Sequence, residues 1–404
     1  MALFLLFLIT LHALFRSSLG ATSSLFLVAL FALNPNLIRF TNKIMTDLPF
    51  LFYASFSLLL IDRFIVHGRI WRSEAFSFGL LGSFLFLAYW TRTVGALLAV
   101  TALLCQLIDW RISGPSGLVA YVKMHRFGLL TYLVPLVLVL VTGSLLPSAN
   151  MGLSEQFAYL YNDGVMEAAR SLWTQFMSYL TLPSEFFYSS VFPDWVGLAF
   201  FWLSVPALLL GLQRRYARDY AFILFSALYM GVLLVSDFFD GFRYLLPVLP
   251  VYIYFVFVGL RELHTAIGGR PGLATKVFAG GVLAVFVIHF AIRSTSPPVQ
   301  VHPRNPFASA GRAMLEFIDE NTRPDHVIAF SKPRSLTLMS GRRSIMVSRS
   351  EHLGDGRCDF AVLMKGPRIK NQVPVDTPRA RVGIRRFPML YQNEWYVILD
   401  VRGG

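Results

Sequence analysis

Three charged side chains recur at intervals of four residues beside an apolar stretch near the start of the chain. The segment 34–50 reads NPNLIRFTNKIMTDLPF and carries Arg39, Lys43 and Asp47. Residues four apart lie on one face of a helix, so a helical segment would place the three groups together. The cations can bind phosphate oxygens, and the carboxylate can act as a general base or bind a metal ion. A solvated loop whose charges pair with one another is the alternative interpretation.

Two further segments place arginine beside apolar stretches. In YWTRTVG, Arg92 occupies a short turn between two apolar runs, where an arginine either lies in a cavity or extends to the membrane interface. In SDFFDGFRYLLPVLP, the residues Asp240, Arg243 and Tyr244 precede an apolar run. Ionisable groups at membrane depth are often functional. The alternative for this segment is a charged helix cap made by Asp240 and Arg243.

The elements that position these residues are predicted to be transmembrane helices. The chain has 404 residues, of which 55% are hydrophobic and 15% are charged, whereas soluble globular chains are about 25% charged. The net charge is +13. Membrane proteins collect Lys and Arg in their cytoplasmic loops, which accounts for this charge, so we predict no nucleic-acid partner. Ten apolar segments predict membrane spans: 2–15, 19–33, 48–66, 75–90, 94–110, 127–147, 195–212, 219–236, 244–261 and 276–293.

The distribution of Lys and Arg over the loops predicts the orientation. One set of alternating loops is richer in these residues and should be cytoplasmic. The opening segment, Arg92, Arg243 and the C-terminal segment then lie outside the cytoplasm. The first apolar segment would then begin outside as well. We therefore expect that an upstream helix and outer loop precede the sequence given.

The chain is predicted to contain two domains. Residues 1–293 form the transmembrane domain, in which 148–194 is an outer insertion with the spacing of an interfacial amphipathic helix. Residues 294–306 form a Pro-rich linker. Residues 307–404 contain a helix in FASAGRAMLEFIDENT and strands in HVIAF, SIMVS, DFAVLM and WYVILDV. The predicted fold class is an all-α polytopic membrane protein with a small extracytoplasmic α/β domain.

Several of these segments resemble a known family. NPNLIRFTNKIMTDLPFLFYASFSLLLIDR resembles the outer loop and following helix of GT-C superfamily membrane glycosyltransferases, in particular the protein O-mannosyltransferase and lipid A aminoarabinose transferase groups. TRTVGALLAVTALLCQLIDWR resembles the family helix that begins Arg-x-x-Gly, and FRYLLPVLPVYIYFVFVGLREL is similar to its RYLLPLLP helix. The C-terminal segment from FIDENT to SIM resembles the periplasmic tail of bacterial members.

The resemblance implies transfer of a sugar from a polyprenyl-phosphate-linked donor to a lipid, glycan or protein acceptor. The reaction would take place at the outer face of the bacterial inner membrane, in the making of a cell envelope glycan. By this likeness Asp47 matches the second acidic position of the family. Arg39 or Lys43, Arg92 and Arg243 match basic positions near the lipid phosphate. The family's first outer loop, with its acidic catalytic base, has no counterpart here, and a divalent metal ion remains open as a cofactor.

Two other functions fit the same sequence. A catalytically incomplete GT-C-like membrane partner would keep the lipid-phosphate cavity without the transfer reaction. A transporter of lipid-linked sugars should show paired broken helices in two similar halves, and the sequence has no such repeat. The basic residues on the outer side and the polar C-terminal segment therefore favour the transferase.

Overall fold

The computed structural model describes residues 1–41, 46–113, 117, 120–121, 123, 125–145, 164–235, 241–266, 268, 272–295, 308–347, 353, 356–365 and 387–402. The chain divides into two compact units, Met1–Ser296 and Pro297–Gly404. The helices of the first unit are α1 (Ala2–Leu19), α2 (Ala21–Ala32), α3 (Pro35–Thr41), α4 (Asp47–Ile61), α5 (Glu74–Thr91), α6 (Ala96–Ser113), α7 (Leu130–Leu145), α8 (Gly164–Thr181), α9 (Asp194–Arg215), α10 (Tyr220–Val235), α11 (Leu249–Ala266) and α12 (Leu273–Thr295).

Each apolar segment of the sequence coincides largely with one of these helices, which supports the predicted class of membrane protein. Within the described ranges, six helices are long and apolar enough to cross a membrane. The number becomes seven if α2 and α3, which are bent by 60° at their junction, form one broken span. The predicted count of ten spans is therefore not confirmed. One reason is length, because α10 has only 16 residues and a perpendicular span needs about 20.

Helices α4 and α11 form the interior of the first unit. From Leu249 to Leu260, all but one of the side chains of α11 are buried, as expected for a helix that is apolar on every face. Helix α4 is buried along most of its length and continues as a π-helix from Asp62 to Val66. In this segment the amide of His67 donates to the carbonyl of Asp62, five residues earlier, at 3.0 Å.

Helices α9 and α11 approach each other closely at two glycines. A Cβ atom at Gly211 would overlap the carbonyl oxygen of Phe255, and one at Gly259 would overlap the carbonyl oxygen of Ala207. Small residues at such crossings allow helix backbones to come into direct contact within a membrane. The position of α11 in the interior therefore depends on these two glycines.

The start of α3 is fixed by two asparagines. The buried Asn34 side chain accepts hydrogen bonds from the amides of Asn36 and Leu37, each at 3.0 Å, which is the N-cap arrangement. Its Nδ2 donates to the carbonyl of Phe186 at 2.8 Å, and Asn36 Nδ2 donates to the carbonyl of Glu185 at the same distance. Helix α3 is thus attached to a short 3₁₀-helix, Leu182–Phe186, within the predicted insertion.

The second unit contains helices α13 (Ser309–Asn321) and α14 (Pro333–Ser340) and a five-stranded sheet. Its strands are β1 (Val327–Phe330), β2 (Arg343–Ile345), β3 (Phe360–Met364), β4 (Met389–Gln392) and β5 (Tyr396–Asp400), in the order β2-β1-β3-β5-β4. Strands β2, β1 and β3 are parallel, whereas β3, β5 and β4 are antiparallel. The four predicted strands are present, and β4 was not predicted. Most side chains of this edge strand are exposed, so it lacks an apolar pattern.

Candidate functional site

A buried ion pair joins two of the residues singled out in the sequence. Asp47 is the first residue of α4, and Arg92 follows the last residue of α5 in an extended conformation. Arg92 Nη1 donates to Asp47 Oδ1 at 2.6 Å, with side-chain exposures of 14% for Arg92 and 6% for Asp47. Removing two charges from water is costly, and the cost is offset only when the geometry of the pair is good.

The position of Arg92 depends on a tight turn after α5. The amide of Arg92 donates to the carbonyl of Ala88 at 3.0 Å, and the amide of Gly95 donates to the carbonyl of Arg92 at 2.8 Å. A Cβ atom at Gly95 would overlap the carbonyl group of Ala88. The Arg-x-x-Gly spacing therefore has a steric reason, because the turn can pack on the last turn of α5 only if its fourth residue is glycine.

We expect Gly95→Ala to displace this turn and with it Arg92. The added methyl must push the turn away from Ala88, at a cost of about 1–3 kcal/mol in the free energy of unfolding. Gly79→Ala is the matched control, because Gly79 lies in α5 and a methyl group added there would meet no atom within 4 Å. Thermal unfolding in detergent micelles measures the melting temperatures of both variants. Equal melting temperatures for the two variants would contradict the steric explanation.

Tyr244 lies between two arginines. Its ring centroid is 4.6 Å from Cζ of Arg92 and 5.3 Å from Cζ of Arg243. The Arg92 guanidinium also lies 5.7 Å from the ring centroid of Phe50. Such cation–π contacts stabilise an arginine by about 0.5–2 kcal/mol. Arg243 and Tyr244 belong to a 3₁₀-helix, Gly241–Leu245, so this segment and the turn after α5 together place two guanidinium groups around one ring.

Tyr229 of α10 belongs to the same region and was not predicted from the sequence. It is fully buried, and its hydroxyl has no hydrogen-bond partner among the described residues. Its ring stacks on Phe50 at 6.4 Å, and its phenol interacts electrostatically with Arg92 and Asp47. Tyr229 stands in an apolar run without charged neighbours, so no pattern distinguished it from an ordinary core tyrosine.

The remaining predicted site residues are placed differently. Arg39 is exposed on α3 and makes no ion pair with a described residue. Arg39 lies on α3 and Asp47 begins α4, whereas residues 42–45 lie outside the described residues, so the shared helical face of the three charges stays a prediction. Lys43 and Asp240 lie outside the described residues. The structure thus brings together Asp47, Arg92, Arg243 and Tyr244.

Metal binding finds no additional support in the part of the chain that the structure describes. There, no group of three His, Cys, Asp or Glu side chains is arranged to hold a metal ion. The Asp47 carboxylate has a guanidinium as its closest charged partner. A divalent metal ion as cofactor stays a sequence-based prediction.

A comparison with solved structures identifies the fold. The crystal structure of ArnT from Cupriavidus metallidurans in the apo state matches this chain with a TM-score of 0.51 and 11% sequence identity. The match covers 100% of this chain and 83% of that chain. The chain has a GT-C-like fold. The resemblance drawn from the sequence is therefore confirmed at the level of the fold.

No protein-family model and no curated protein matches the sequence. At 11% identity the likeness concerns the path of the backbone and not the side chains. The roles of Asp47, Arg92 and Arg243 in this GT-C-like protein must accordingly be argued from their own contacts.

Proposed function

We propose that this GT-C-like protein transfers a sugar from a polyprenyl-phosphate-linked donor to a lipid, glycan or protein acceptor at the membrane surface. The observation that carries the proposal is the arrangement of Arg92 and Arg243 around Tyr244, next to the buried carboxylate of Asp47. The GT-C-like fold supports the same function, because the resemblance in sequence was to membrane glycosyltransferases.

The two arginines suit the phosphate of such a donor. Guanidinium groups bind phosphate oxygens with two parallel hydrogen bonds. Sugar transfer from a lipid phosphate also needs positive groups that stabilise the charge that develops on the departing phosphate. Fixed cations in a site shielded from water do this without reorganisation. In our proposal Arg92 and Arg243 hold the phosphate, and Arg39 and Lys43 belong to the same basic surface.

The acceptor hydroxyl must lose a proton during the transfer, and a carboxylate is a suitable base. Asp47 is the candidate at this site, and its ion pair with Arg92 gives it a second role, because it fixes the orientation of the guanidinium. Tyr229 presents a buried hydroxyl without a partner among the described residues. Leaving such a group unsatisfied costs about 1–3 kcal/mol, so a hydrogen bond to bound substrate is favourable.

The proposal also assigns domains to the residue ranges of the chain and places the site on one face of the membrane. Residues 1–293 bind the lipid-linked donor, the linker is the part of 294–306 that follows the end of α12 at Thr295, and residues 307–404 form an extracytoplasmic domain. In this proposal Arg92 and Arg243 lie on the outer face of a bacterial inner membrane, and the distribution of Lys and Arg over the loops supports that orientation. A reporter that is active only in the periplasm, fused after Arg293, should be active if this orientation is correct.

Arg243→Gln should weaken binding of a polyprenyl phosphate about tenfold, since one charge-assisted hydrogen bond contributes about 1.5–3 kcal/mol. The probe is undecaprenyl phosphate, added to the purified chain in detergent. Arg126→Gln is the matched control. Like Arg243, Arg126 lies in a 3₁₀-helix and stacks on the aromatic residue that follows it, Phe127, at 4.9 Å. Equal affinities for the two variants would contradict a phosphate contact by Arg243.

One observation favours a second candidate function, a GT-C-like partner that binds the donor without catalysing transfer. Asp47 Oδ1 already accepts a hydrogen bond from Arg92, so this oxygen is not free to accept a proton from an acceptor hydroxyl. Such a partner would bind undecaprenyl phosphate as predicted above. Membranes that contain it would nevertheless release no labelled sugar from a donor in which undecaprenyl phosphate carries a radioactive hexose or pentose.

A further inference from the structure

A cavity of about 60 Å³ lies at the other end of α4 from Asp47. Its lining includes Ser17 and Ser18 of α1, Asp62 and Arg63 after α4, and Arg218 after α9. Asp62 follows Asp47 by fifteen residues, which corresponds to about 22 Å along a helix. The cavity is therefore distinct from the candidate transfer site.

The cavity lies at the depth of lipid headgroups. The apolar spans Ala2–Leu19, Asp47–Val66 and Asp194–Arg215 all end beside it. A helix of twenty residues is about 30 Å long, which matches the thickness of the hydrocarbon core. The C-terminal ends of these three spans thus mark one boundary of the membrane, and the cavity opens among them.

The two carboxylates of the lining differ in their partners. Asp219 has two close partners, because Arg215 Nε lies 3.0 Å from its Oδ2 and the hydroxyl of Tyr254 donates to the same oxygen at 2.5 Å. Asp62 has only His67 Nδ1 near its carboxylate, at 3.4 Å, and this carboxylate accepts no hydrogen bond from a described residue. Its side chain is 14% exposed and lines the cavity. Asp62 is therefore a half-buried acceptor that a positively charged donor would satisfy.

Three arginines provide the opposite charge. Arg63, Arg69 and Arg218 line the same cavity, and none of them makes an ion pair with a described residue. Arg63 and Arg69 lie close enough to Asp62 to interact with it electrostatically. The guanidinium of Arg63 is held over the ring of Trp71 at 5.6 Å. Three arginines and one carboxylate that accepts no hydrogen bond from a described residue thus line one cavity at the membrane boundary.

We propose that this cavity binds a phosphoethanolamine headgroup, with its phosphate at Arg63, Arg69 and Arg218 and its ammonium at Asp62. An anionic headgroup without an amine would bring no partner for Asp62. A choline headgroup carries the positive charge but has no N–H to donate. Because the span ends place the cavity at headgroup depth, the source is a membrane phospholipid and not a soluble metabolite. The site is independent of the proposed sugar transfer.

The test is a titration of the purified full chain in detergent with short-chain phosphatidylethanolamine, phosphatidylglycerol and phosphatidylcholine, followed by native mass spectrometry. Phosphatidylethanolamine should bind about tenfold tighter than the other two, since only its ammonium can donate a hydrogen bond to Asp62, and a hydrogen bond between charged groups is among the stronger ones. Asp62→Asn should remove this preference. Arg218→Gln should weaken binding of all three lipids about threefold, because an exposed arginine contributes less.

Arg72→Gln is the control, since Arg72 is an exposed arginine near Arg69 in sequence that does not line the cavity. It should bind the three lipids like the unmodified chain. Equal binding of phosphatidylglycerol and phosphatidylethanolamine, or a preference that survives Asp62→Asn, would overturn the proposal. Free phosphoethanolamine should bind at least tenfold more weakly than the lipid. Equal affinity would overturn the assignment to a membrane lipid.

Discussion

Replacing Arg92 with methionine should lower the free energy of unfolding by about 3–5 kcal/mol, because the Asp47 carboxylate would remain buried without its partner. Transfer of labelled sugar from undecaprenyl phosphate to membrane acceptors should fall at least 100-fold, as expected when a group that stabilises developing charge is lost. Chemical unfolding in detergent micelles measures the first effect. A radiochemical transfer assay on membranes measures the second.

The double variant Asp47→Leu, Arg92→Met separates stability from function. Replacement of both members of a buried ion pair by apolar residues is often neutral or stabilising, so the double variant should unfold like the unmodified chain. Its transfer activity should stay as low as that of Arg92→Met. If the double variant recovered transfer together with stability, the pair would be a structural element and Arg92 would have no part in the reaction.

The second large effect is expected at the contact of α9 and α11. Gly259→Ala places a methyl group on the carbonyl oxygen of Ala207, and neither backbone can move without displacing the buried core around α11. We expect the loss in the free energy of unfolding to reach or exceed about 3 kcal/mol, the upper part of the range for overpacked cores. Fluorescence-detected size-exclusion chromatography of the heated, detergent-solubilised chain measures it.

Gly231→Ala serves as the comparison for Gly259→Ala. Gly231 lies in α10, and a Cβ atom there would meet no atom within 4 Å. Because alanine is favoured over glycine inside a helix by about 1 kcal/mol, this variant should be as stable as the unmodified chain or slightly more stable. Wild-type stability of Gly259→Ala would show that α9 and α11 are not in direct backbone contact.

The local elements could be predicted from the sequence, and their contacts could not. Long apolar runs must form helices in a membrane, since only a helix satisfies all backbone polar groups within one segment. For that reason the segments predicted to span coincide with helices. The pairing of Asp47 with Arg92 joins residues 45 positions apart. No local pattern reveals such a contact; the loop charges predicted only that the two residues lie on the same side of the membrane, and the family resemblance assigned both to one site.

Two other points could not be decided from the sequence. The regular spacing of Arg39 and Asp47 predicts one helical face only if a helix continues between them, and residues 42–45 lie outside the described residues. Strand β4 was missed because an edge strand with exposed side chains does not need alternating apolar residues.

The π-helix after α4 has a consequence for insertions and deletions. A segment that bonds five residues back holds one residue more than an α-helix of the same length. Deletion of one residue between Asp62 and Val66 would therefore let α4 continue as an α-helix, with little change in its length. The residues that follow would keep their direction around the helix axis, because the extra residue of the π-helix is the one removed. Deletion of one residue within the α-helical part of α4 would instead turn every later residue by about 100°, so the first deletion should leave Arg69 at the cavity and the second should move it away.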